Sequence, residues 1–168
     1  MLSARKLAAA AAAMTMAAAA APSAALAASY FVLTIDKSSL TMTDLRSPRL
    51  TKAGAQIYEL TIFRAPMKGR SKPAGKKGDY LIVQTDFDCA KNKLQHQYSA
   101  AYDTGGNLLS SAIKPGPWIK VKPDGKDAAL KALGCTGAKP SAGFPLGDVR
   151  VGKVIADYRA GLYDRYIH

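Results

Sequence analysis

Two cysteines, Cys89 and Cys135, carry all the thiol chemistry of this 168-residue chain, and their fate constrains the rest of the fold. Cys89 follows a run with strand character, "YLIVQTDFD", while Cys135 closes a run with helical spacing, "PDGKDAALKALGC". Cys89 reads as a small buried hydrophobe, a reactive thiol or half of a staple, and the compartment decides which. The N-terminal stretch "MLSARKLAAAAAAMTMAAAAAPSAALAA" has the three parts of a secretory signal. These are a positive start at Arg5 and Lys6, an uncharged alanine-rich run, and a small-x-small site at Ala25 and Ala27. Cleavage is expected after Ala27. The competing reading, a retained membrane anchor, is opposed by the weak apolarity of alanine and by Pro22 at the end of the run. In an oxidising compartment a disulfide is the default for a lone cysteine pair. A catalytic thiol is the rival, and its only candidate bases are His96 and His168. A bridge across 46 positions would stabilise the fold by about 4 kcal/mol in the chain-entropy account.

Loss of the leader leaves 141 of the 168 residues, enough for one domain with an ordinary core. Of the 24 basic residues Arg5 and Lys6 depart, so 22 face 12 acids and the net charge is +10; Glu59 is the only glutamate. Such a balance suits acidic partners: lipopolysaccharide, anionic lipid, nucleic acid or sulfated glycans. It equally suits plain solubility.

Past Tyr30 the chain reads as short strands separated by turn residues. "YFVLTID" and "SSLTM" form one pair across a tight turn, and "DLRSPRLTKAG" is polar and loop-like. Residues 55–63 make a longer strand with Tyr58, Leu60 and Ile62 on one face and Ile57, Glu59, Thr61 and Phe63 on the other. "RAPMKGRSKPAGKKGD" follows, with two prolines, three glycines and six basic residues, and is expected to be an exposed hairpin loop. "YLIVQTDFD" returns from it. "KLQHQYSAAYD" and "NLLSS" form a hairpin about "TGG". A short helix then carries Ala128, Leu130, Ala132 and Leu133, with Gly134 as its stop signal. "TGAKPSAGFPLG" reads as a linker. The last stretch places Val151, Val154, Ile155, Tyr158, Leu162 and Tyr166 at helical spacing behind Asp148 as N-cap, interrupted by Gly152 and Gly161.

The ordered set "DCAKNKL", "AAYDTGGNLLSS" and "PWIKVKPDGKDAALKALGC", with "TIDKSSL" upstream, resembles the surface-adhesin protein E family of Gram-negative bacteria. The resemblance covers about residues 30–135. It implies an α+β fold, a curved antiparallel β-sheet with a C-terminal helix clamped across it by the disulfide. This agrees with the reading of the residues, to which the tail adds a second C-terminal amphipathic helix. The expected organisation is a signal peptide over residues 1–27, the adhesin-like domain over 28–135, and linker plus helix over 136–168. The chain departs from the family in its thirty-odd residues past Cys135 and in the basic insertion at 64–78.

The best candidate for a working surface is the basic loop: Arg64, Lys68, Arg70, Lys72, Lys76 and Lys77 on a Gly/Pro-rich segment can follow a polyanion without fixed geometry. It lacks the interleaved aromatics of single-strand nucleic-acid binders, so no specific nucleic acid is expected. Asp86 and Asp88 could form an acid pair but more often solvate a strand end. His96 could ligate haem or a metal, but a lone strand histidine is usually a polar face. Trp118 could be a binding platform, although a core or helix-docking role is the commoner one. No cofactor, metal set or catalytic constellation is expected. The chain therefore reads as a non-enzymatic exported domain of the periplasm or outer cell surface of a Gram-negative bacterium. It would bind an unidentified protein or an anionic envelope or host polymer, with no transmembrane span once the signal is removed. The alternative is an accessory periplasmic module that docks a partner protein through its C-terminal helix.

Overall fold

A computed structural model of the protein describes residues 29–68 and 77–167. The expected signal segment lies outside the described residues. Among the described residues nine strands form one open antiparallel sheet: β1 (Ser29–Ile35), β2 (Ser39–Asp44), β3 (Arg49–Thr51), β4 (Gly54–Lys68), β5 (Lys77–Asp88), β6 (Lys93–Tyr102), β7 (Leu108–Ala112), β8 (Ile119–Lys120) and β9 (Phe144–Asp148). The order across the sheet is β7-β6-β5-β4-β2-β1-β9, with β3 paired to β4 and β8 paired to β6. Helix α1 (Lys126–Thr136) and helix α2 (Val151–Arg159) complete the α+β architecture, followed by a 3₁₀ turn at Asp164–Tyr166.

The run "YFVL" in β1 explains the layering. Four successive apolar residues cannot all face one side of a strand, so both faces of the sheet must be covered. Tyr30 and Val32 point into a core with Leu40, Met42, Leu60 and Ile62, roofed by Val154, Ile155 and Tyr158 of α2. Phe31 and Leu33 point the other way, into a core with Ile57, Phe87 and Leu94, roofed by Leu130 and Leu133 of α1. The sheet is thus the middle of three layers, and the two helices lie on opposite faces.

Helix α1 is tied down as the cysteine pair foretold. Cys89, just past β5, is bonded to Cys135 with the two Cα atoms 5.8 Å apart. At the other end of the helix Lys126 Nζ donates to Glu59 Oε2 at 2.7 Å, giving the buried Glu59 its counter-charge. Gly134 is not the stop signal read from the sequence. It lies inside the helix and buried, and a Cβ there would sit 2.9 Å from Ala55 Cβ and Ile57 Cδ1. Close approach of helix to sheet is its reason. The helix ends three residues later at Gly137, left-handed at φ 71°, whose N–H reaches the Leu133 carbonyl.

The tail differs from its reading in three ways. The segment taken as a linker contributes β9, antiparallel to β1, with Phe31 opposite Pro145 and Val32 opposite Phe144. Proline survives there because β9 is an edge strand, where no outer ladder bond is lost. Gly143 opens it at φ 100°, where a Cβ would lie 1.9 Å from the Val32 carbonyl oxygen. Asp148 belongs to β9 rather than capping a helix; the N-cap of α2 is Arg150, in extended conformation and with no side-chain cap bond. The helix stops before Gly161, so Leu162 is 60% exposed, and Tyr166, on the 3₁₀ turn, stacks on Phe144 with centroids 4.0 Å apart. Val154, Ile155 and Tyr158 are fully buried against the chain's own sheet, so the stripe docks internally. Two smaller differences concern loops: the polar stretch before residue 55 contains β3, all of it exposed, and strands β4 and β5 run into the basic loop as far as Lys68 and Lys77.

Candidate functional site

The long ribbon of β4 and β5 carries the basic segment. Its ladder runs from Gly54 opposite Asp88 to Ile62 opposite Tyr80, breaks, and resumes at Met67 opposite Gly78 and Lys68 opposite Lys77. Residues 63–66 therefore bulge against the single residue Asp79. A bulge frees backbone groups that need partners, and Arg159 at the end of α2 supplies them. Its Nε donates to the Arg64 carbonyl at 3.1 Å, and its Nη2 donates to the Phe63 carbonyl at 3.2 Å and to Asp79 Oδ1 at 2.5 Å. Asp79 is buried and its other oxygen accepts from Thr104 N and Oγ1 at 2.8 and 2.7 Å. Burial pushes this carboxyl up, but the bonds from Thr104 and Arg159 outweigh burial and hold it below the usual carboxylate range.

Arg64 takes part in the same root. Its guanidinium forks onto the Asp164 carboxylate and lies 4.6 Å from the centre of the Tyr158 ring, while the Tyr158 hydroxyl donates to the Asp36 carbonyl at 2.6 Å. The hydrogen bonds from Arg64 lower the Asp164 carboxyl. Of the six basic residues read as an anion-binding set, Arg64 is thus engaged by the C-terminal segment. Lys68 and Lys77 occupy the last register position of the ribbon. Arg70, Lys72 and Lys76 lie outside the described residues.

A second basic region was missed. Strand β8 pairs with β6 so that Lys120 is directly opposite Lys93, both exposed and neither in an ion pair among the described residues. Like charges facing across a ladder repel, and Asp88, opposite Lys93 on the other side, relieves part of this. Next to it, Lys122 and Lys131 rim an open cleft of about 460 Å³ floored by Val121, Ala128 and Ala132 and touching the disulfide. The signal was present as "IKVK", whose lysines alternate with apolar residues as an edge strand's do.

The remaining candidates resolve into structure. Asp86 accepts from Gln56 Nε2 at 3.1 Å, and Asp88 accepts from the Lys91 N–H at 2.9 Å, which holds its carboxyl low. His96 shares a 2.9 Å hydrogen bond between its Nδ1 and Thr85 Oγ1. Trp118 is 41% exposed at the sheet edge, outside both cores, contrary to the core role expected of it. Among the described residues no group of three or more His, Cys, Asp or Glu is placed to hold a metal, and no helix is long and apolar enough to cross a membrane. No family model, curated protein or solved structure matches this chain.

Proposed function

We propose that the protein is a non-enzymatic, exported cell-envelope binding domain that resembles surface adhesins and uses its basic ribbon to engage an anionic or protein ligand. The observation that carries this reading is the root of the ribbon. A loop of no consequence needs no foundation, yet here Arg159, at the end of the core-anchored helix α2, caps the carbonyls of the bulge, and Asp164, on the 3₁₀ turn that follows, grips Arg64. That foundation holds the end of a ladder that leads into a segment of lysine, arginine, glycine and proline. The disulfide fits an oxidising compartment, the periplasm or the outer surface of a Gram-negative cell. The partner-docking alternative relied on the apolar stripe of the tail, and that stripe is occupied by the protein's own sheet.

The test is retention on heparin and on immobilised lipopolysaccharide, for the whole mature chain and for a variant with residues 69–76 replaced by Asn-Gly. Retention that falls with salt and drops sharply in the variant is the expected result, because surface ion contacts are screened over about 8 Å at physiological ionic strength. Equal retention of the two proteins refutes the role of the ribbon. N-terminal sequencing of exported material should begin at Ala28 or Ser29.

A further inference from the structure

Apolar exposure on this molecule is concentrated in one place. Six large hydrophobic residues are exposed among those described, and four of them, Leu108, Ile113, Trp118 and Ile119, lie along the outer edge of β6 where β7 and β8 are attached. This edge is held against the sheet. Between β7 and β8 the Gly116 N–H donates to the His96 carbonyl at 2.9 Å, and Gln95 Nε2 donates to the Gly116 carbonyl at 2.6 Å. Strand β7 itself, "LLSSA", ends the sheet. Its outer N–H and C=O groups have no ladder partner among the described residues.

Sheet edges in monomers are ordinarily defended by charge, proline, a bulge or a covering element. Strand β7 contains neither charge nor proline; it carries a bulge at Leu109, where Ala101 faces Ser110 and Tyr102 faces Leu108, while Ser110–Ala112 pair regularly. Large apolar residues stand exposed at both of its ends, Leu108 at 55% and Ile113 at 82%. Its cations are Lys114, Lys120 and Lys122, with no acid in residues 104–123; the nearest acid, Asp103 in the β6–β7 turn, accepts hydrogen bonds from Asn107. The regular half of this strand, Ser110–Ala112, with an apolar and cationic surround, is a surface on which an extended acidic segment can add as another strand. A second copy of this chain is a poor match, since it brings the same lysines and the same net charge of +12.

We propose that the β7 edge binds an extended acidic peptide segment of a partner protein by strand addition, with Leu108 and Ile113 as apolar contacts and Lys114 as the nearest cation. This surface is separate from the basic ribbon, so its test stands or falls independently of the ribbon's.

The experiment uses the mature protein, a blocked peptide of alternating valine and threonine flanked by glutamates, and the same peptide N-methylated at alternate residues. Binding is read by polarisation of labelled peptide and by amide exchange over residues 108–112. The expected result is saturable binding that slows exchange in β7, weakens at least tenfold on N-methylation or in Ile113→Asp, and falls when lysines replace the glutamates. The Ile113→Asp variant alters an exposed side chain, and its circular dichroism should match the parent. Absence of saturable binding at millimolar peptide overturns the proposal. So does equal affinity for the N-methylated peptide, or a dimer of the chain itself that Ile113→Asp abolishes.

Discussion

Replacing Arg159 by methionine keeps the length of the side chain and removes its charge and its donors. In the native fold that guanidinium serves two strand carbonyls and one carboxylate at once. Asp79 is only 9% exposed and would keep its bonds to Thr104 but lose its one ion-pair partner among the described residues. Stranding one member of a buried ion pair costs about 3 to 5 kcal/mol, and each part-buried carbonyl left without a donor adds up to about 1 kcal/mol. Arg159 itself is 26% exposed, so water can reach part of the vacated site. Discounting for that gives a loss of about 2 to 4 kcal/mol, measurable as a shift in the urea midpoint at neutral pH. The pH dependence supplies an independent check. Asp79 is held below its unfolded value of about 3.9. Its contribution is therefore complete above that value and lost as pH falls through the lower folded pKa. Without Arg159 the folded pKa rises, so the variant should lose less stability than the parent between pH 5 and acid. A double-mutant cycle with Asp79→Asn should show strong coupling. A destabilisation under about 0.5 kcal/mol together with an unchanged acid limb would refute the clamp.

Three further outcomes are expected. Cys135→Ser should cost roughly 2 to 5 kcal/mol in chemical denaturation, and unreduced native protein should show no thiol reactive towards an alkylating agent. Gly134→Ala should destabilise despite a gain of about 1 kcal/mol in helix propensity, because overpacking costs about 1 to 3 kcal/mol where a Cβ would meet Ala55 and Ile57; thermal melting reads the sign. A chain ending at Lys139 loses β9 and α2, so it should bind an apolar dye and lose its cooperative melt; an intact melt would contradict the internal docking of the tail.

Much of the sheet was legible because its strands alternate or run apolar over enough residues to be unambiguous, as "AQIYELTIF" and "YLIVQTDFD" do. The disulfide was legible because the chain holds two cysteines, which leave one pairing once the N-terminal stretch is read as a secretory signal. Strand β9 was not, since "GFPLG" carries the glycine and proline of a turn, and only its edge position makes proline admissible. Gly134 misled because a glycine near a helix end has two physical uses, capping and close packing, which local sequence does not separate. The ribbon root is assembled from residues up to 100 positions apart, Arg64 with Asp164, and no local pattern announces a contact of that range. Trp118, at the start of the passage to α1, reads as a core or helix-docking residue before a binding platform. Its place on a sheet edge follows from the β6–β8 pairing, which a two-residue strand hardly signals.

The two covered faces of the sheet are secured by unlike chemistry. On one, a covalent bond ties α1 to the end of β5. On the other, α2 and the residues after it are tied to the ribbon by Asp79 and Asp164, carboxylates whose ionised forms are favoured by their arginine partners and lost as pH falls through their lowered pKa values. A reductant therefore attacks the α1 face and spares the other, while acid loosens the ribbon and the α2 face and leaves the covalent tie intact. Redox state and acidity can vary independently, so each stress meets one half of the molecule unguarded and the other still closed. Strand β1 lends residues to both cores, so the surviving half keeps the template on which the other can re-form.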